Sequence, residues 1–106
     1  MKAFRFYEPE VSWKLEEIPT PTIGDEDVLV KIKASGICGT DLHYKHGRME
    51  PGKIPITLGH EIAGIVEEIG NQVSDVKLGE RVCVHYIISC GECVHCSQGN
   101  DNRCRN

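Results

Sequence analysis

Four of the six cysteines in this 106-residue sequence fall within one fifteen-residue stretch, CGECVHCSQGNDNRC, at Cys90, Cys93, Cys96 and Cys104. Two-residue gaps let a tight turn aim successive thiolates at one point, about 2.3 Å from a zinc ion. The longer gap before Cys104 is polar and holds Gly99, so the chain can loop back with a fourth ligand. Four thiolates close a tetrahedron and leave no open position, which marks a structural rather than a catalytic ion. Such binding supplies roughly 10–16 kcal/mol in apparent terms to small zinc modules, enough to hold an irregular loop. Two rivals remain on spacing alone, an iron–sulfur cluster and disulfides. The bacterial iron–sulfur run continues x3-C-P, but Asn100 stands at the corresponding position here and no proline follows.

Composition weighs on the disulfide rival. Hydrophobic content of 40% and charged content of 26% fit a soluble globular chain. One of this length is a single domain or part of one, and buries roughly two-thirds of its unfolded surface. A net charge of −4 without a basic block gives nucleic acid or an anionic membrane nothing to bind. The opening MKAFRFYEPEVSW meets Glu8 before an apolar run develops, so neither a signal peptide nor an anchor is expected. No apolar run approaches the roughly 20 residues that span a bilayer. A cytoplasmic location follows as the expectation, and thiols there stay reduced. Zinc is therefore favoured, with His85 and His95 expected at the surface because four thiols already fill the shell.

Elsewhere the pattern is that of strands. DVLVKIKASG alternates, with Val28, Val30, Ile32 and Ala34 on one face, and ERVCVHYII sets Val82, Val84 and Tyr86 opposite Arg81, Cys83 and His85. HEIAGIVEEIG is rich in β-branched residues and closes on Gly70. Cys83, in an alternating strand, reads as a small packing residue. Gly and Pro turns separate these runs and suggest a small barrel or sandwich. One short helix is expected at TDLHYKHG, capped by Thr40 or Asp41 and ended by Gly47.

A second constellation is split between GICGTDLH and LGHEIAG. Cys38 sits between Gly36 and Gly39, where the backbone can turn closely around an ion. Thr40 and His43 are three apart, so one helical turn sets a hydroxyl and an imidazole on one side. His60 and Glu61 offer a nitrogen and a carboxylate at consecutive positions. Cys, His and a carboxylate with an open position would make a catalytic zinc site. Each element alone also fits a core thiol, a surface imidazole or a chance pair.

Together, GICGTDLH, LGHEIAGIVEEIG, GERVCV and the four-cysteine stretch resemble the zinc-dependent medium-chain alcohol dehydrogenases over nearly the whole chain. The resemblance implies a mainly β, GroES-like partial β-barrel with a zinc-stabilised loop lobe at 89–105 and at most short helices. Residues 1–106 would be the N-terminal part of that catalytic domain. It implies Cys38 and His60 as catalytic zinc ligands, Glu61 as a switchable one, and Cys90, Cys93, Cys96 and Cys104 as structural ligands. Thr40 and His43 would relay the substrate's proton. The implied activity is hydride transfer between an alcohol or polyol and NAD or NADP, in a full-length parent expected to be a homo-oligomer. The run DLHYKHGR is similar to the polyol branch, without fixing a substrate. No two glycines are separated by a single residue, so G-x-G-x-x-G does not occur, and the nucleotide-binding domain is expected to be absent from these residues. The chain is thus expected to be a fragment, inactive alone. A non-catalytic zinc-stabilised binding module is the alternative.

Overall fold

The computed structural model describes residues 1–106. Two three-stranded antiparallel sheets carry the chain, one ordered β2-β1-β4 and the other β3-β5-β6. The first is built from β1 (Lys2–Phe6), β2 (Lys14–Glu17) and the two-residue β4 (Ile56–Thr57). The second comprises β3 (Val28–Gly36), β5 (Glu61–Ile69) and β6 (Arg81–Val84). A single α-helix, α1 (Gly39–Lys45), follows β3 directly, and two 3-10 turns, Cys96–Gln98 and Asp101–Arg103, shape the cysteine lobe. The sheets remain open, as a partial GroES-like barrel requires.

β5 is the organising strand. It pairs with β3 from Val28↔Ile69 to Gly36↔Glu61 and with β6 from Ile62↔Val84 to Ile65↔Arg81. Its β-branched Val66 is 1% exposed. Phe6, equally buried, meets Tyr44 of α1 at 6.5 Å between ring centres and so ties the first sheet to the helix. The Arg5 guanidinium donates to Thr57 Oγ1 at 3.2 Å and to the Pro55 carbonyl at 2.9 Å, fixing the segment that leads to His60.

Several expectations need correction. The apolar face of β3 is only half-buried at Val28 and Val30, and Ile32 is 55% exposed. Register shifts between Leu29 and Val30 and between Ile32 and Ala34 break the simple alternation. β6 ends at Val84 rather than running on to Ile88, because its pairing with β5 stops at Ile62, one residue from the start of β5 at Glu61. Cys83 is exposed, not packed, and lines a shallow cavity with Lys33 and Arg81. The helix is capped by Cys38, not by Thr40 or Asp41. Asp41 accepts the Cys38 N–H at 2.8 Å from the third helical position, and Gly47, at φ 64°, follows the C-terminal end as expected.

Between the sheets lies an apolar cleft of about 1200 Å³, lined in part by Phe4, Trp13, Val30, Ile37, Ile62 and Val84. Ile37, Leu78 and Ile88 stand exposed. No helix is long and apolar enough to cross a membrane.

Candidate metal centres

The cysteine lobe converges. The ligand atoms of Cys90, Cys93, Cys96 and Cys104 all lie within 4.8 Å of one another. Individual Sγ–Sγ distances are 3.5 Å for Cys93–Cys96, 3.6 Å for Cys90–Cys104 and 4.0 Å for Cys90–Cys96. Zinc–sulfur bonds of about 2.3 Å in a tetrahedron require edges of about 3.8 Å, so this sulfur set fits a single ion. It does not fit disulfides, whose sulfurs stand about 2.05 Å apart, and all six cysteines are free. A multi-iron cluster would hold its thiolates on different metal atoms, farther apart.

The loop supplies its own donors. The Cys93 N–H points to Cys90 Sγ and the Cys90 N–H to Cys104 Sγ, each at 3.4 Å. Such donors favour thiolates. The N–H groups of Cys96 and then Arg105 bring the Cys93 thiol down to about 6, and those of Cys90 and Asn106 lower Cys104. Burial, followed by hydrogen bonding with Cys93, pushes the Cys96 thiol up to about 12. Four neighbouring thiols cannot all ionise without a cation among them. His85 is exposed as expected, but its Nε2 lies 3.1 Å from Asp101 Oδ2, a contact between the segment after β6 and the lobe. His95 is half-buried at the start of the first 3-10 turn, not at the open surface.

The second constellation converges as well. Cys38, His60 and Glu61 bring their ligand atoms within 4.8 Å of one another. β3 delivers Cys38 just beyond its last residue, and the antiparallel pairing sets Glu61 opposite Gly36. Gly59, at φ 118°, makes the turn that presents His60, a conformation that L side chains rarely adopt. The donor set of sulfur, nitrogen and oxygen suits zinc with a position left open.

The electrostatics agree. The Thr40 N–H, then His60 and the Thr40 hydroxyl, hold the Cys38 thiol below its ordinary value. The hydrogen bond with Cys38 raises His60, against the opposing effect of burial. Thr40 Oγ1 stands 3.8 Å from Cys38 Sγ, beside the cluster. His43 lies one helical turn on, exposed, and its imidazole makes no hydrogen bond with Thr40.

Two further residues belong to this site. Asp41 is buried, and its Oδ1 has no hydrogen-bond partner but faces His60 Nδ1 at 3.8 Å. It spans the site, since its other oxygen takes the Cys38 N–H. Read from the sequence, Asp41 was only a cap candidate. A carboxylate three residues after a cysteine at a helix start was the available signal. Tyr86 sets its ring edge-on to the His60 imidazole at 5.6 Å and also touches His85. Nothing in a period-two pattern marks it.

Two open three-stranded sheets thus carry a four-thiol lobe and a separate Cys–His–carboxylate cluster. The chain belongs to the alcohol dehydrogenase GroES-like domain family, whose pattern matches residues 24–106. It is 41% identical over 112 residues to an L-threonine 3-dehydrogenase of Symbiobacterium thermophilum, covering all of this chain and 31% of that protein. Among solved structures, a zinc-binding dehydrogenase from Sinorhizobium meliloti bound to NADP is 45% identical with a TM-score of 0.80, over 99% of this chain and 30% of that one. A thermostable alcohol dehydrogenase from Pyrobaculum aerophilum with cobalt and zinc bound is 34% identical with a TM-score of 0.90, over 99% of this chain and 32% of that one. The chain therefore spans about a third of the length of these relatives.

Proposed function

We propose that this chain is the metal-binding part of a zinc-dependent dehydrogenase that moves a hydride between a small-molecule alcohol and NAD or NADP. The observation that carries the reading is the meeting of Cys38, His60 and Glu61 beside a separate, sulfur-closed lobe. A purely structural module needs only the lobe. The binding of NADP in the Sinorhizobium relative and of zinc and cobalt in the Pyrobaculum one supports it.

Cys38, His60 and Glu61 would hold the catalytic ion, and Cys90, Cys93, Cys96 and Cys104 the structural one. Zinc bound at the first site supplies Lewis acidity, which lowers the pKa of a hydroxyl brought to it. The remaining work falls to the protein. The Thr40 N–H favours the thiolate form of Cys38, and the buried Asp41 carboxylate faces His60 Nδ1 at 3.8 Å. The Thr40 hydroxyl, 3.8 Å from Cys38 Sγ, would take the substrate's proton, and His43, exposed on α1, would pass it to water. The nucleotide would be bound by polypeptide outside residues 1–106, which serve as the N-terminal part of the catalytic domain.

The test uses the intact protein. Zinc content per chain should equal two, one ion for each cluster, and NAD(P)H should form with some member of an alcohol panel. L-Threonine, sorbitol and ethanol are the first members, the first because of the named relatives. Two tightly held ions with no nucleotide reduction by any alcohol would sink the dehydrogenase reading. A single ion would sink the second metal centre.

A further inference from the structure

We propose that Gly36 is a positioning residue for Glu61: the missing side chain at the end of β3 is the seat that lets the Glu61 carboxylate fold back toward Cys38 and His60. The inference rests on the reading of those three residues as a metal centre.

Gly36 and Glu61 are direct partners across the β3–β5 ladder. The backbone at Gly36 does not itself demand glycine. The glycines in the left-handed region are Gly47, Gly59, Gly79, Gly91 and Gly99, and Gly36 is ordinary strand that alanine can adopt. What a Cβ there would meet is a single side chain. It would collide with Glu61 Oε2 and stand 3.1 Å from Glu61 Cβ and 3.3 Å from Cδ. Other close glycines differ in kind. A Cβ at Gly64 would strike the Lys31 carbonyl as well as Val30 Cγ1, and one at Gly70 the carbonyls of Gly24 and Asp25, so backbone stands in the way at both positions. Gly39, in the same GICG run, faces open space.

Glu61 is exposed, and a free carboxylate on an exposed strand end gains most by turning into water. Here one of its oxygens instead lies within 4.8 Å of the Cys38 sulfur and a His60 nitrogen. A methyl group at position 36 fills the space beneath that carboxylate. The oxygen is the far end of a flexible side chain, so the strand survives and the carboxylate swings away. Gly36 thereby sets whether Glu61 can stand at the metal.

The test titrates the intact protein with cobalt(II), by chelator competition and by its visible absorption. Gly36→Ala and Glu61→Ala should each weaken cobalt at this site by a similar factor, about tenfold or more, and give the same altered spectrum. The double variant should match Glu61→Ala alone, because nothing beyond Cβ is left for the methyl to displace. Native-like cobalt binding and spectrum in Gly36→Ala would overturn the inference. So would a double variant weaker than Glu61→Ala by the full Gly36→Ala factor, since Gly36 would then act through the backbone. Should Gly36→Ala not fold, the double variant decides: folding with the lobe metal retained supports the inference, and failure to fold overturns it. If Cys38→Ser does not remove one cobalt from the native stoichiometry, the metal-centre reading fails and takes the inference with it. Failure of the Gly36 variants alone leaves that reading standing.

Discussion

The lobe draws all four ligands from one loop of fifteen residues, whereas Cys38, His60 and Glu61 meet only because β3 and β5 run antiparallel. In the lobe the groups that tune the sulfurs come from the same loop and the two residues after it, the N–H groups of Cys90, Cys93, Cys96, Arg105 and Asn106 among them. In the second cluster they come from α1 and from the turn at Gly59. The first can be assembled by a metal from a disordered loop. The second depends on the pairing of β3 with β5 and on the turn at Gly59. Under the proposed function, a stabilising site and a reacting one would differ in whether the ligands or the fold come first.

Ligand substitutions break the comparison most sharply. In the intact protein, Cys38→Ser is expected to lower turnover at least about 100-fold while the lobe keeps its zinc and the melting temperature changes little. Steady-state kinetics with metal analysis and a thermal melt check this. Cys93→Ser should do the reverse, lowering the melting temperature by about 10 °C and turnover per metal-loaded molecule by less than about threefold. Equal effects of both variants on both quantities would erase the division.

Asp41→Asn sharpens it. Asparagine keeps an oxygen for the Cys38 N–H but removes the charge facing His60. Affinity for cobalt at the second site should fall about tenfold, with lobe affinity unchanged, as chelator competition would show. An equal loss at both sites would mean that Asp41 supports the fold rather than the ligand.

A pH dependence of metal binding at the lobe sharpens it further. Zinc binds thiolates, so a group already ionised gives up no proton on binding and a protonated one must. Cys93, at about 6, enters as thiolate at neutral pH, whereas Cys96, at about 12, loses its proton to the metal. Above the Cys93 value and below that of Cys96, affinity therefore rises with pH, about tenfold per unit for that proton. Competition titrations between about pH 7 and 9 measure the slope. A flat line would show that Cys96 is not a ligand.

Legibility followed the same division. The lobe could be read from spacing because its ligands are neighbours in the chain. β5 was legible from its β-branched run, and α1 from its polar start at Thr40 and Asp41 and from Gly47. The β2-β1-β4 sheet was not, since β4 has two residues and its pairing with β1 spans some fifty positions. Asp41 and Tyr86 escaped because their partner, His60, is remote in sequence. Cys83 was misread because alternation gives two faces without saying which one is covered, and here Cys83 looks outward beside Lys33 and Arg81.

By itself the sequence determined the ligand types, their spacing in the lobe and the strands that would carry the rest. Local spacing suffices when the chain between ligands is too short to hold them apart. Only the tertiary structure decided that Cys38, His60 and Glu61 share one point, that Asp41 backs the imidazole, and that Gly36 leaves room for the carboxylate. Those relations depend on strand register, in which a slip of one residue turns every side chain to the opposite face.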